Sequence, residues 1–526
     1  MTIKEYSANP DSRSELGQKT ALVMAFTIIS RIGGFARDAI LAQVFGAGQV
    51  FDAFAVAFRI PNFMRRLFGE GAFAQSLVPT LAEYHNHRSV YETQLFINQL
   101  MSFLTFISLG IVIVTEIMAP VMVLLLAPGF IHDTARYHLA IQLFRITQPY
   151  LISMALVALA GAILNSYHRF ALTAFTPIVL NVTLIVIAYY LSPEMELLKR
   201  ITLLAWGIFI SGIIQMAIQI PAIIKLKLRP RLVWSGFEPR VKIIFKQIFP
   251  AIFGVSIAQI SLLLDNLFAS YLSPGSISWL YYADRLIYLP LGIIGVALAV
   301  VVLPHLSHFH QKKAKKDFAA VLDWSLRCTL VIAIPAAIGL GLLAKPILAA
   351  LMHHGAFTSH DVIMTGKSLT AFALGLPAWM LIKILASAFY SQQNIKTPAR
   401  IVGLALLANI IFNIFLVQAL GHVGLALATS LASWLNAILL WIFLLKQGHK
   451  LHEGWLRLGF GIFAGSLAMA SFLIWRMESL SNWLEWDMIT GLEHLIILIG
   501  TGGMIYFLVL AIAGLRLYHF APPKLE

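Results

Sequence analysis

Asp38-Ala-Ile-Leu-Ala-Gln-Val-Phe-Gly-Ala-Gly48 has an echo in Asp265-Asn-Leu-Phe-Ala-Ser-Tyr-Leu-Ser-Pro-Gly275. Each copy sets an acid at its head, an apolar run behind it and a glycine at its end. Further matches keep the order. Val78-Pro79-Thr80-Leu81 pairs with Leu303-Pro304-His305-Leu306, Gln148-Pro149 with Leu376-Pro377, and Thr176-Pro177 with Thr397-Pro398. The offset stays between about 221 and 228 residues, so the chain reads as one unit written twice.

The repeated unit is made of membrane-length helices. Hydrophobic residues are 59% of the 526 and charged residues 12%. A soluble globular chain carries about 25% charged residues, and this one could not cover its surface in water. Mean hydropathy is +0.82. The apolar blocks run near 20 residues, enough to cross a hydrocarbon core of about 30 Å. A lipid-facing backbone must be helical or a closed barrel, and Leu, Ile and Ala runs without strict alternation select helices. The fold class is therefore an all-α polytopic membrane protein of about 14 transmembrane helices. The predicted spans lie near 20–45, 50–82, 95–127, 137–163, 172–191, 201–224, 245–272, 277–306, 320–350, 366–390, 399–418, 422–445, 456–476 and 492–515.

Six spans fall in each copy, which makes the repeat parallel, with a pseudo-axis along the membrane normal. Spans thirteen and fourteen lie outside it. The expected organisation is a tail over 1–17, a first lobe over 18–235, a second over 236–448, two extra helices over 449–517 and a tail over 518–526. Lys and Arg set the orientation. With both termini in the cytoplasm, the basic stretches 225–246, 312–316, 396–400 and 446–457 are all inside, and few basic residues fall in the opposite turns. Most of the +14 net charge is then a topology signal and not a nucleic-acid patch. The single cysteine, Cys328, excludes an intramolecular disulfide. The polar first 19 residues lack the apolar core of a cleavable signal. Trp455, Trp475, Trp483 and Trp486 read as interfacial anchors.

Two repeated lobes argue for a transporter working by alternating access. The competing class is a membrane enzyme. Its acids would have to come from the segment 477–493, which offers only Glu478, Glu485, Asp487 and Glu493. Neither a nucleotide-binding loop nor a nucleophile signature is present, and no cofactor is expected.

Ionisable residues at membrane depth are costly and mark function by default. Here they cluster. The first two spans carry Arg31, Arg37, Asp38, Asp52, Arg59, Arg65, Arg66 and Glu70; the second lobe carries Asp265, Asp284, Arg285 and Lys383. Gly33-Gly34 weakens the first span by about 1 kcal/mol per glycine, and a bend is expected there. Arg31, Arg37, Arg65 and Arg285 are the candidate substrate-binding residues, because a guanidinium fork matches phosphate oxygens. Asp38, Asp52, Glu70 and Asp284 are expected to supply a supporting ion-pair network. The plainer readings are snorkelling for Arg65 and structural pairing for Arg31, Arg37 and Asp284-Arg285. A second constellation joins Asp265 to Asn409 and Asn413, one helical turn apart, and to Thr429. Their oxygens could hold a hard cation such as sodium; hydrogen bonding between helices is the alternative.

At these residues the chain resembles the MurJ (MviN) family of lipid II flippases, within the MOP transporter superfamily. The matching stretches are Ser30-Arg-Ile-Gly-Gly-Phe-Ala-Arg-Asp38, Asp52-Ala-Phe54, Pro61-Asn-Phe-Met-Arg-Arg66, Gly69-Glu-Gly-Ala-Phe-Ala-Gln-Ser76, Ala162-Ile-Leu-Asn165, Tyr281-Tyr-Ala-Asp-Arg285, and Phe389-Tyr-Ser-Gln-Gln393 running on to Lys396-Thr-Pro398. The resemblance covers 18–517. It implies two six-helix lobes, with the last two helices forming a groove for a lipid tail. It also implies movement of lipid II, the undecaprenyl-pyrophosphate-linked peptidoglycan precursor, from the inner to the outer leaflet of the bacterial cytoplasmic membrane. Family arginines essential for transport resemble Arg31, Arg37, Arg65 and Arg285. A sodium site found in some members resembles Asp265, Asn409, Asn413 and Thr429. A sodium ion or the membrane potential would drive the cycle. Expected partners are lipid II, membrane lipids and the cell-wall synthesis machinery, with the carrier functional as a monomer. The alternatives are a flippase for another polyprenyl-linked saccharide and a multidrug exporter on the same fold.

Overall fold

A computed structural model describes residues 10–69, 72–191, 194–233, 261, 263–448 and 454–515. All regular structure among them is helical. The chain separates into two compact units. One holds Met1–Phe45 and Gln49–Leu263; the other holds Leu264–Glu526 together with the turn Gly46–Gly48. The expected boundary at 235/236 falls outside the described residues.

The first unit contains α1 (Pro10–Phe45), α2 (Gln49–Ala57), α3 (Arg59–Gly69), α4 (Ala72–His87), α5 (Val90–Ile117), α6 (Ala119–Leu126), α7 (Thr134–Thr147), α8 (Tyr150–Ser166), α9 (Phe170–Val186) and α10 (Leu197–Ile224). The second contains α11 (Ser276–Pro290), α12 (Val296–Gln311), α13 (Lys315–Leu342), α14 (Ala344–Met352), α15 (Ser359–Ala373), α16 (Leu376–Ser391), α17 (Lys396–Leu420), α18 (His422–Lys446), α19 (Trp455–Arg476), α20 (Leu480–Glu485) and α21 (Met488–Ile512).

The duplication is visible in backbone detail. Helices α5 and α13 are each 28 residues long. Each stops at a residue with φ −89° and ψ 12°, Met118 in one and Leu343 in the other, before a short second helix starts. His168 and Gln393, just beyond α8 and α16, both take φ 58°.

Ten helical segments among the described residues are long and apolar enough to cross a membrane. The remaining predicted spans fare differently. Span 20–45 lies in α1, which carries Arg31, Arg37 and Asp38. Span 50–82 is broken at Phe58, between α2 and α3. The break has a cause: Pro61 has no N–H to give the carbonyl of Ala57, and the hydroxyl of Thr147 donates to that oxygen instead, at 3.4 Å. Span 277–306 is interrupted by a π turn, Leu291–Gly295, directly after Pro290. Span 245–272 lies mostly outside the described residues.

Three local devices shape the units. In the first, the segment after α10 runs extended along α5. Gln94 accepts from the amide of Arg229 at 2.7 Å, Asn98 from Arg231 at 2.9 Å and Ser102 from Val233 at 2.8 Å. Gln94, Asn98 and Ser102 share one helix face. In the second unit, α17 turns into α18 so tightly that a Cβ on Gly424 would stand 2.3 Å from the carbonyl oxygen of Leu416. The turn Gly46–Gly48 is similarly confined. Gly46 has φ +63°, a Cβ there would meet the oxygen of Ala356 at 2.5 Å, and its own carbonyl accepts from the Tyr282 hydroxyl at 3.1 Å.

Helices α19 and α21 pack on one another and on α13. The hydroxyl of Tyr506 donates to the carbonyl of Val331 at 2.8 Å. An apolar groove of about 250 Å³ lies between α13 and α19, lined by Leu330, Ile334, Ile338, Leu458, Ile462 and Phe463. Of the tryptophans expected at the interface, Trp475 is exposed, but Trp483 is 1% exposed and stacks edge-on against Trp486. Trp455 donates to Asp323 of α13 at 2.6 Å. The Trp455 ring thus ties α19 to α13.

Candidate functional site

Arg37 is the centre of the polar cluster in the first unit. It is 8% exposed and Asp38 2%. A buried guanidinium must be paired, because an isolated charge in a dry interior costs many kcal/mol. Asp38 Oδ1 accepts from both Nε and Nη2, at 2.9 and 2.6 Å. Nη1 donates to Asn181 Oδ1 of α9 at 3.0 Å. The amide nitrogen of Asn181 donates to the backbone carbonyl of Ser30, also at 3.0 Å. One asparagine therefore touches α1 at its backbone and at its arginine.

The glycine pair does not break α1, which is assigned as one helix from Pro10 to Phe45. Its effect is on access. The Arg37 side chain leans back toward the helix N-terminus, as helical side chains do. Gly33 and Gly34 lie between Ser30 and Arg37 and present no side chain. A Cβ on either would stand 3.6–3.7 Å from the Asn181 amide nitrogen. The pair leaves a smooth face on which Asn181 lies.

Arg65 is half-buried, and its Nη2 donates to Asn62 Oδ1 one turn earlier, at 3.2 Å. Tyr150, fully buried on α8, lies within electrostatic reach of both Arg65 and Arg37 and contacts Gln215 of α10. Arg31 is exposed. Glu70 lies outside the described residues.

Asp52 joins a different arginine from those expected. It is 0% exposed and accepts from Nη1 of Arg136, on α7, at 3.3 Å. Arg136 also approaches Asp133 at 3.5 Å and lies over the ring of Phe130, 4.2 Å from its centre. This pair ties α2 to α7. Its counterpart in the second unit has a neutral donor: Trp279 of α11 donates to Asp361 of α15 at 2.9 Å.

In the second unit, Arg285 and Asp284 are half-buried on α11, and the Arg285 guanidinium lies 4.6 Å from the centre of the Tyr281 ring. The four residues of the proposed cation group come together. Asn413 Nδ2 donates to Asp265 Oδ1 and to Asn409 Oδ1, both at 3.2 Å. Thr429 donates to Asp265 Oδ2 at 3.1 Å, and Asn409 Nδ2 donates to Thr429 at 3.2 Å. Asn413 Oδ1 is buried with no hydrogen-bond partner. A buried carboxylate, two amide oxygens and a hydroxyl are the donor set a hard cation takes.

Asn181, Arg136 and Tyr150 are missing from the sequence-derived site. Asn181 and Tyr150 are single polar residues in apolar spans and give no local signal. Arg136 sits at the start of its span, where a basic residue reads as a flank.

A family model described as lipid II flippase MurJ matches residues 41–493. The chain is 40% identical over 511 residues to a probable lipid II flippase MurJ of Vibrio cholerae, covering 94% of this chain and 96% of that one. It is 37% identical over 458 residues to the lipid II flippase MurJ of Burkholderia cenocepacia, covering 86% and 88%. A solved structure of lipid II flippase MurJ in an inward closed conformation superposes with a TM-score of 0.80 at 29% identity, over 94% of this chain and 98% of that one. An inward-facing MATE family multidrug transporter of the MOP superfamily gives a TM-score of 0.64 at 12% identity, over 82% and 99%, a likeness of fold alone.

Proposed function

The chain belongs to the lipid II flippase MurJ family, and we propose that it carries lipid II from the inner to the outer leaflet of the bacterial cytoplasmic membrane by alternating access. Membership in a flippase family makes it a multi-pass membrane transporter and not an enzyme. The observation that carries the mechanistic reading is the buried Arg37, paired with Asp38 inside a membrane-spanning unit. A pyrophosphate of about two negative charges leaving water loses solvation worth several kcal/mol per charge, and only charged hydrogen bonds can replace it. Arg37, with Arg31 and Arg65 of the same unit and Arg285 of the second, supplies those bonds. Asp38 keeps Arg37 neutralised between cycles. The test is depletion in a bacterium, with lipid II accessibility at the outer leaflet as the readout. Undiminished outer-leaflet lipid II after depletion refutes the assignment. Transport of another polyprenyl-linked saccharide with lipid II excluded would favour the related-flippase reading.

The groove between α13 and α19 suits the polyprenyl tail, since its lining is apolar. The group around Asp265 suits sodium, which when bound would supply a positive charge that compensates the buried carboxylate. Sodium or the membrane potential is the proposed driving force. Both termini and residues 312–316 face the cytoplasm in this reading, by the Lys/Arg asymmetry. Reporter fusions that place 312–316 outside overturn it. The carrier works as a monomer alongside the cell-wall synthesis machinery. Cross-linking that traps an obligate dimer would contradict that.

A further inference from the structure

We infer that Asn181 is a positioning residue for substrate binding, acting through Arg37. The inference rests on the pyrophosphate reading above and extends it to a residue on a different helix. Arg37 has a flexible stem, and Asp38 Oδ1 accepts from the Nε and Nη2 edge of its guanidinium. Asn181 closes the second edge by accepting from Nη1.

Asn181 can do this because it is itself fixed. Its nitrogen donates to Ser30 O, two helical turns before Arg37 on the same helix. That bond sets which end of the amide is oxygen, and so which end faces the arginine. It also fixes the distance between α9 and the Arg37 side chain. Gly33 and Gly34 keep the intervening face clear. The geometry is a three-point frame: a backbone carbonyl of α1, an amide of α9, and a guanidinium that returns to α1. A guanidinium ordered before the ligand arrives loses less freedom on binding.

A purely architectural asparagine, bonding two helices for stability, would occupy the same place. The two roles differ in whether the effect of Asn181 depends on Arg37. The experiment is a double-mutant cycle on the purified full-length protein, reading the dissociation constant for undecaprenyl pyrophosphate in detergent. The four proteins are the parent, Asn181→Ala, Arg37→Ala and the double variant, each with its thermal midpoint recorded. Asn181→Ala is expected to weaken binding about tenfold in the parent, the effect of one hydrogen bond to a charged group. In the Arg37→Ala background the same change is expected to have no effect on binding. Equal losses in both backgrounds, or no loss in the parent, overturn the inference and leave the pyrophosphate reading standing. Unaltered binding by Arg37→Ala overturns that reading and the inference with it. If Asn181→Ala is not recovered folded, Asn181→Ser takes its place, since its hydroxyl is too short to reach from Ser30 O to the guanidinium.

Discussion

Arg136 and Asp52 stand 84 positions apart in sequence and form an ion pair at 3.3 Å with both side chains buried. In the second unit the corresponding helices are joined by Trp279 and Asp361, a hydrogen bond between a neutral donor and an acid. The duplicated halves have therefore kept the joint and changed its chemistry. Removing one member of a buried pair strands the other charge, at a cost of about 3–5 kcal/mol. Asp52→Ala and Arg136→Ala should each lower the thermal midpoint and the membrane level sharply. The combined Asp52→Leu/Arg136→Met protein should be more stable than either single variant. Wild-type stability in both single variants would show that the pair carries no structural weight.

Arg37 offers a contrast between charge and shape. Lysine keeps the charge but presents no planar fork. In a lipid II translocation assay with protein levels matched, Arg37→Lys should be impaired and Arg37→Ala more so, by about tenfold to a hundredfold. Arg88, exposed and paired with Glu92 at 3.5 Å, is the control, and Arg88→Ala should transport normally. Full transport by Arg37→Ala would remove the pyrophosphate clamp.

Sodium should raise the thermal midpoint of the parent protein relative to potassium at equal ionic strength. A ligand at about 100 times its dissociation constant stabilises by about 2.7 kcal/mol. Asp265→Ala should abolish the difference, because it removes the charge at the centre of the Asn409, Asn413 and Thr429 group. Identical midpoints for the parent in the two salts would dispose of the cation proposal.

Two glycines should respond in opposite ways to one methyl group. At Gly34 the new Cβ would meet Asn181 at an ordinary contact distance of 3.6 Å, and Gly34→Ala also gains about 1 kcal/mol of helix propensity. At Gly424 the methyl would press into the backbone of Leu416 at 2.3 Å, where nothing can yield cheaply. Gly34→Ala should fold and accumulate normally, while Gly424→Ala should be depleted from the membrane. Normal accumulation of Gly424→Ala would mean the α17–α18 turn can open.

The residues that made the fold legible are those whose effect is local. Pro79 and Pro304 fall inside equivalent helices, α4 and α12, because a proline marks its own backbone wherever the chain goes. Hydropathy, averaged over a window, could not see the break near Phe58, which depends on one missing N–H. Asp265, Asn409, Asn413 and Thr429 could be grouped because Asn409 and Asn413 share a helix face and all four put side-chain oxygens in the spans of one lobe. Asn181 and Arg136 could not. Their meaning lies in partners 144 and 84 residues away, and an asparagine in a span looks the same whether it bonds a neighbouring helix or an arginine.

The extended run along α5 carries a rule of parity. Successive rungs on the helix, four residues apart, advance about 6 Å, and every second amide of an extended chain advances about 6.6–6.8 Å. The two scales stay in step for Gln94, Asn98 and Ser102 against Arg229, Arg231 and Val233. Pro230, which has no N–H, sits on a skipped beat and removes nothing. A proline at 231 would delete a rung. Inserting one residue ahead of Arg229 would turn the wrong amides toward the helix, and inserting two would restore the right ones. This stretch of chain can change length only by even numbers and still read the same helix face.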